Sequence, residues 1–580
     1  MGRRATGAVH VAKIERKHGE RVYTYWLLRQ TYREGGKVRH RTLGNISHLP
    51  AETIEAVRCS LAGEACVPIG RIRVVGSRPH GHVAAVWTAA RALGFPELLG
   101  PASRMRDLAF ALLVARVVRP GSKLATSRWW ARTTLGQDLG VEGASSDEVY
   151  AAMDWLLSRQ GEIEGALAAS HLTRGGLVLH DVTSVHVEGR CCPLAAHGHS
   201  RDGHPELPQI VFGLSTDAEG RPVAVEVYPG NTADPATVEG TVTKLKDRFG
   251  LDSVVMVGDR GMITKARIDD LRRVGGVGWI TSLRAPSIRV LADAGALQMS
   301  LFDESDLAEI VHPDYPGERL VACRNPALAI TRARKREELV SATEARLARV
   351  RASVARASRP LRGADRIGIA VGKVLDRFRV GKHFHIEITD DDFRFSRNEK
   401  RIATEAALDG VYVIRTSVGA GEMDAAGVVL AYKSLSRVEA DFRSLKTTHL
   451  EVGPVRHHRE DRVRSHVLIC MLACYVAWHM RRALAPLTFT DEEPPAREDP
   501  VAPAVRSAGA LAKASRRTTG ENAPALGFTD LLDELACLVR DEIGVGDGPG
   551  AVTFERVSEP SLTARRAFEL LGAPVPAKLL

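Results

Sequence analysis

The sequence predicts an α/β chain built on a mixed sheet, and three observations carry that expectation. Four apolar runs, Leu177–Val187, Gln209–Ser215, Val223–Tyr228 and Ser253–Asp259, follow one another closely, with the turn DAEGRP between the second and third. Helical TVEGTVTKLKDRF separates the third run from the fourth, and ARIDDLRRV leads on to a fifth short strand, GWITSLR. Acidic residues then stand in chosen places: Asp181 and Asp259 at the ends of apolar β runs, and Glu439 in the later helical run YKSLSRVEADFRSLK.

Three hairpin-like strands, a helix and a parallel strand ending in a carboxylate are the order of an RNase H-like mixed sheet. The expected fold class is therefore α/β, an RNase H-like mixed-sheet catalytic core with an inserted domain before the Glu-bearing helix, preceded by small N-terminal β and helical domains. Residues 1–75 form the basic β-rich part: residues 9–46 alternate apolar and polar side chains around Gly35–Gly36, as a small antiparallel sheet does. Residues 76–172 change to helical periodicity in VWTAARALGF, LAFALLVARVV and DEVYAAMDWLLSRQ, with Arg119, Lys123, Arg128 and Arg132 interspersed. This segment is expected to be a helical domain with basic interruptions.

The core occupies 173–284 and resumes at 409–484, opening there with the strand GVYVIRTS. The interval 285–408 is too long for a connection inside a compact domain and is expected to be an inserted domain. It carries a long helix from Ala327 to about Ser358 rich in Arg and Lys, either a solvated helix or an arm along DNA phosphates. The Pro-, Ala- and charge-rich stretch 485–525 reads as a disordered linker, and 526–580 as a helical tail.

At 580 residues the chain has room for about three or four domains. With 44% hydrophobic and 26% charged residues it has a globular composition. The 80 Lys+Arg against 70 Asp+Glu give a net charge of +10, which suits a polyanionic partner. No apolar run reaches the roughly 20 residues of a membrane helix; VLICMLACYVAW, from Val467, reads as a buried helix, so no membrane partner is expected. MGRRATGAVHV lacks the apolar core of a leader, and eight sparse cysteines without a CxxC pair make no disulfide framework. Both point to an intracellular protein, and the expected location is the cytoplasm, in association with the nucleoid. Cys191 and Cys192 lie near His197, His199 and His204, but adjacent cysteines rarely ligate one zinc ion together.

Two carboxylates at strand ends and a third on a later helix are what two-metal phosphodiester chemistry requires. At about 100° per residue, Tyr432, Glu439 and Lys446 share one face of a continuous helix, beside an apolar stripe of Leu435, Val438, Phe442 and Leu445. On that geometry Asp441 projects roughly opposite to Glu439. Gly258 and Gly261 flank Asp259 and are expected to permit a tight turn. Trp279 reads as a core residue.

YKSLSRVEADFRSLK resembles the Y-x2-R-x3-E-x6-K signature of IS4-type insertion-sequence transposases, with wording like that of the IS1634 group. The resemblance extends to HGHSRDGHPELPQIVFGLSTDAEGRPVAVEVYPGNTAD, VMVGDRGMIT and VRHHREDRVRSHVLICMLA, and more loosely to the N-terminal sheet. It departs at Leu435, where the signature has Arg; Arg437 points away from the Glu439 face, and Arg443 is the better-placed cation.

The resemblance implies that Asp181, Asp259 and Glu439 are a catalytic DDE triad holding two Mg²⁺ ions, with Mn²⁺ as a substitute. Water is then the nucleophile for cutting element ends, and the freed 3′-OH for joining them to target DNA. It implies phosphate contacts from Lys446 and Tyr432, alongside Arg443. The basic strip after that helix, with Arg456, His458 and Arg462 foremost, is expected to bind double-stranded DNA. Terminal inverted repeats fall to the N-terminal sheet and helical domain, and paired ends imply a homodimer. Two rivals are an RNase H-like nuclease that only hydrolyses and a silent DNA-binding regulator descended from a transposase.

Overall fold

The computed structural model describes residues 6–19, 21–63, 69–189, 191–303, 305–497, 499–521, 523–546 and 552–579. The reading of residues 1–5 as lacking a leader lies outside them. The chain divides into two compact units, Met1–Arg78 with Val539–Ser558, and Pro79–Leu538 with Glu559–Leu580.

In the first unit, β1 (Thr6–His18), β2 (Arg21–Glu34) and β3 (Lys37–Asn45) form an antiparallel sheet in that order. Gly35 and Gly36 both have positive φ, 60° and 75°, the backbone a two-residue hairpin turn demands. Strand β4 (Ile72–Pro79) lies beside a hairpin of Val539–Val545 and Val552–Val557. The helical tail expected over 526–580 is thus corrected. Phe528–Ala536 and Leu562–Leu570 are helices, but Val539–Val557 turns back as strands. The charged run VRDEIGV has no strong preference of its own, and pairing with β4 decides its state.

The second unit begins as a helical bundle in which Gly81–Ala92, Arg104–Val118 and Ser146–Ser158 pack on the helix Glu460–Ala483. That last helix is long and apolar enough to cross a membrane, yet 83% of its apolar window is buried inside the protein. It is the core helix expected from VLICMLACYVAW.

Beside the bundle lies an eight-stranded mixed sheet. Its strands are β5 (Leu177–His186), β6 (Gln209–Thr216), β7 (Pro222–Pro229), β8 (Val254–Val257), β9 (Val277–Ser282), β10 (Leu307–Ile310), β11 (Arg319–Arg324) and, after a separate hairpin of β12 (Phe384–Ile388) and β13 (Phe393–Arg397), β14 (Val411–Thr416). The spatial order is β10-β11-β14-β9-β8-β5-β6-β7, with β5, β8 and β9 mutually parallel and the remaining pairs antiparallel. Two parts of the expected 285–408 insertion, β10 and β11, therefore extend the main sheet through β14. A core of its own belongs to the stretch after them, where Val340, Leu347 and Val354 of the helix Pro326–Val354 pack with Ile367, Val371, Phe384 and Phe393. Trp279 of β9 is buried, its indole N–H directed at Glu318.

The linker expected over 485–525 is ordered where described. Val501 is fully buried, Ala508–Arg516 is helical, and Lys433 donates to the carbonyls of Pro500, Val501 and Ala502 at 2.6, 2.6 and 3.0 Å. Lys513 likewise donates to the Ala485 carbonyl at 3.0 Å and to Glu492 at 2.6 Å. Lys433 from outside the stretch and Lys513 from within it supply the order that Pro- and Ala-rich composition conceals.

Candidate active site

Strand β5 pairs with β8 only through Leu177↔Val255, Val178↔Met256 and Leu179↔Val257. Asp181 lies two residues beyond the last rung on one strand, and Asp259 two residues beyond it on the other. Both chains run in the same direction there, so the two carboxylates leave the sheet at one level, the carboxyl edge where open α/β sheets bind ligands. Asp181 is not at a strand end, as the sequence suggested. β5 continues to His186 along antiparallel β6, with Asp181 opposite Leu214. What ends at this level is the neighbour, β8.

Side chains alternate across a strand, so Asp181 and Thr183 share one face while His180 faces the other. His180 is buried between Ser215 Oγ, 3.0 Å away, and Thr241 Oγ1, 3.3 Å away. The helix Leu435–Arg443 packs on β5, burying Leu435, Val438 and Phe442 and leaving Glu439 exposed.

The single continuous helix expected from Tyr432 to Lys446 is also corrected. Ala425–Lys433 ends at Ser434, Leu435–Arg443 follows, and a π-helical turn takes over at Ser444–Thr448. Extrapolation at a fixed angle per residue fails across both breaks. Contacts set the positions instead: Tyr432 shares a 2.8 Å hydrogen bond with Ser282 Oγ at the end of β9, and Lys446 donates to Thr183 Oγ1 at 3.1 Å and to the Arg201 carbonyl at 3.4 Å. Tyr432 and Lys446 thus border the carboxylates from the β9 and β5 sides respectively.

Electrostatics tie the three acids together. Burial pushes the Asp181 carboxyl up to about 7; a hydrogen bond from the Val182 N–H opposes this, the Asp259 charge adds to it, Arg201 opposes it, and Glu439 adds to it again. Burial raises the Tyr432 hydroxyl as well, with Ser282 opposing and Asp259 contributing, and burial lowers the Lys446 ammonium. Arg201 ion-pairs with Asp234 and donates its backbone N–H to Ser184 Oγ at 2.9 Å. Next to it, Asp202, although burial pushes it up, is held down to about 2 by hydrogen bonds from His186 and Ser200.

Among the described residues no three or more His, Cys, Asp or Glu side chains gather closely enough to hold a metal ion. This holds for Cys191, Cys192 and their neighbouring histidines, and equally for Asp181, Asp259 and Glu439 about a single ion.

Several expected cations are already engaged. Arg456 pairs with Glu188 at 2.9 Å, Arg459 with Asp461, and Arg464 with Glu460 at 2.7 Å. Arg462 turns inward, its guanidinium 4.1 Å from the Tyr150 ring centre and its Nε 4.0 Å from Asp154. Arg443 and His458 are exposed. Arg437 donates to the Ala218 carbonyl, away from the site. Asp441 is buried against Cys474, and burial pushes its carboxyl up to about 7. Neither Gly258 nor Gly261 has a positive φ, and a Cβ at Gly258 would press on the Ile263 side chain, 2.9 Å from its Cδ1. Arg201, Thr183 and Ser282 are the site residues that sequence reasoning missed. Arg201 was nevertheless flagged indirectly, inside HGHSRDGH.

Comparisons with known proteins identify the family. The Transposase DDE domain family matches residues 174–476, and the IS1634 family transposase N-terminal domain matches residues 11–65. No curated protein matches. A solved structure, the cryo-EM piggyBac transposase synaptic complex with hairpin DNA, is 10% identical, with 68% of this chain and 71% of that one covered and a TM-score of 0.31. With one family description spanning more than half of its length and the other placed ahead of it, the chain belongs to the DDE transposases, in the IS1634 insertion-sequence group.

Proposed function

We propose that this transposase cuts the ends of its DNA element and joins the freed 3′-OH ends to target DNA, using Asp181, Asp259 and Glu439 as its catalytic, metal-holding carboxylates. The observation that carries the assignment is the shared rung of β5 and β8, from which Asp181 and Asp259 emerge together, with Asp181 raised toward neutrality by burial and by both other acids. Three hard oxygen donors suit Mg²⁺ or Mn²⁺. Asp181, Asp259 and Glu439 would hold such ions between them, with no one ion needing all three carboxylates. When bound, such ions activate the attacking oxygen and stabilise the leaving one.

The chain's own residues do the rest. Asp181, crowded by like charge, is stabilised as a carboxylate by an arriving cation. Lys446, fixed on Thr183, offers a point charge to a DNA phosphate beside the carboxylates, and Tyr432 and exposed Arg443 extend that contact. Arg456 and His458 supply more distant phosphate contacts. The sheet is of the RNase H-like kind, in which β5, β6 and β7 form the antiparallel half and the insertion separates β9 from the Glu439 helix. We assign terminal-repeat recognition to residues 1–75 and 76–172, a homodimer to the synaptic complex, and the cytoplasm, at the nucleoid, to its site of action.

The test uses purified protein, Mg²⁺ and labelled element ends, both intact and pre-cut. Cleavage with joining of pre-cut 3′ ends to a plasmid is expected, and is lost in Asp181→Ala, Asp259→Ala and Glu439→Ala. Full cleavage by any one of these variants overturns the assignment, and cleavage without joining makes the protein a nuclease.

A further inference from the structure

A second concentration of charge lies between the helical bundle and the segment after the Glu439 helix, within the same compact unit. A cavity of about 340 Å³ is walled by Arg116, Lys123, Tyr150, Arg456, His457 and His466, among others. Lys123 is only 6% exposed, and its ammonium lies 3.2 Å from His466 Nδ1. His466 Nε2 lies 2.9 Å from the Val452 carbonyl, so the ring donates there and accepts from Lys123. Arg116, 4% exposed, donates to the carbonyls of Leu450, Glu451 and Gly121. Its hydrogen bonds are satisfied while its charge is not.

Among the described residues, no carboxylate ion-pairs with Arg116 or Lys123. Glu451, on the cavity wall, has an exposed side chain, and Glu188 is taken by Arg456. Buried charges are ordinarily paired, because an unpaired one is costly in a low-dielectric interior. Burial, then Arg116, hold the Lys123 ammonium down to about 7, and burial, then Lys123, push His457 to about 3.

We infer that this cavity is an anion site that receives the phosphate of a nucleotide unit, whose charge answers Lys123 and Arg116, with the Tyr150 ring beside the remaining volume. The volume falls in the range of small-ligand clefts, roughly 300–1,000 Å³, and exceeds what a bare phosphate fills. Phosphate is favoured over a carboxylate because its second negative charge matches two buried cations, Lys123 and Arg116, that border one space and pair with no carboxylate. The source of the phosphate is either a strand of DNA or a free mononucleotide.

The test is done in chelator, so that it requires neither metal nor cleavage, and a failed carboxylate assignment leaves it standing. Calorimetric titration with dAMP, inorganic phosphate and a short DNA duplex at matched chloride is expected to show binding to the wild type. Lys123→Met weakens that binding about tenfold or more, without lowering the ligand-free unfolding temperature, since the variant removes an unpaired buried charge. Lys123→Arg, which keeps the cation, retains binding. Lys123-dependent binding of dAMP identifies the mononucleotide as a sufficient ligand, and Lys123-dependent binding of duplex alone identifies the DNA backbone. Equal affinities in wild type and Lys123→Met, equal losses in both variants, or no binding of any probe by the wild type overturn the inference.

Discussion

One fully buried carboxylate and one half-buried carboxylate flank the same sheet and are treated in opposite ways. Glu164, on the helix Gln160–His171, is fully buried, and everything around it is arranged to satisfy it: Gln160 donates at 2.8 Å, the Val225 N–H at 2.9 Å and Lys244 at 2.8 Å. Burial pushes its carboxyl up, while Lys244 and the hydrogen bonds oppose that shift. Asp181 receives one backbone hydrogen bond, from Val182, and is pressed by the charges of two other acids. A closed site of the first kind holds a fold together. An under-compensated site of the second kind stores electrostatic repulsion that a cation can relieve, which is the signature of a functional position.

The largest way to break this contrast is by activity. Asp181→Asn keeps the shape and removes the charge; cleavage of labelled element ends is expected to fall by roughly a thousandfold or more. Lys244→Met is expected to leave cleavage per folded molecule nearly unchanged, because the closed site takes no part in chemistry. Its effect is on stability instead. Stranding Glu164 without its ammonium should cost about 3–5 kcal/mol, read as a lowered denaturation midpoint. If Lys244→Met abolishes cleavage in protein that is demonstrably folded, the two carboxylates are not different in kind.

Much of this contrast is legible in the sequence, and the physical reason it stops short differs from place to place. The runs from Leu177 to Trp279 declare themselves because each is apolar, short and bounded by turns, and Asp259 follows directly where one of them ends. Asp181 was misplaced at a strand end because nothing in its own strand reveals that β8 stops beside Leu179. The strands LAEI and RLVACR are too short and too poor in β-branched residues to stand out, and only pairing through β14 makes them part of the sheet. The π turn at Ser444–Thr448 has no composition of its own, so the placement of Lys446 rests on Thr183 and the Arg201 carbonyl. Arg201 itself acts across the fold, through Asp234 and the field at Asp181, and no spacing rule finds such a residue.

A smaller effect sharpens the comparison through pH, in the metal-free protein. Asp181 has a folded pKa of about 7 against an ordinary 3.8, so between those values the folded state holds a proton that the unfolded state has released. Stability drawn from this group is therefore full below about pH 4 and is lost as pH rises through about 7. Asp181→Asn has no such slope. In chelator its unfolding free energy should match wild type near pH 4 and exceed it at pH 8, by an amount on the order of 1–3 kcal/mol after allowing for screening. Magnesium should narrow the gap at pH 8 by stabilising the wild-type carboxylate. A gap of the same size at both pH values would show that packing, rather than charge, distinguishes Asp181 from Asn.

The smallest expected effect separates Lys446 from Arg462, two cations that the sequence presents alike. Lys446 is tethered to Thr183 on the face of β5 that carries Asp181, so a phosphate held at the carboxylates lies within its field. Arg462 is committed to the Tyr150 ring and to Asp154 in the helical bundle. Removing one phosphate contact lowers the slope of log affinity against log salt by about one, whereas removing a cation that touches no phosphate leaves that slope alone. Lys446→Ala should therefore weaken binding to an element end by about 1 kcal/mol at low salt and flatten its salt dependence by one such step. Arg462→Ala should change neither, and its cost should fall on the packing of Tyr150 instead. Equal salt slopes for both variants, measured by filter binding across a chloride series, would place the two residues in one class and remove the reason for treating the β5 face as the side that DNA approaches.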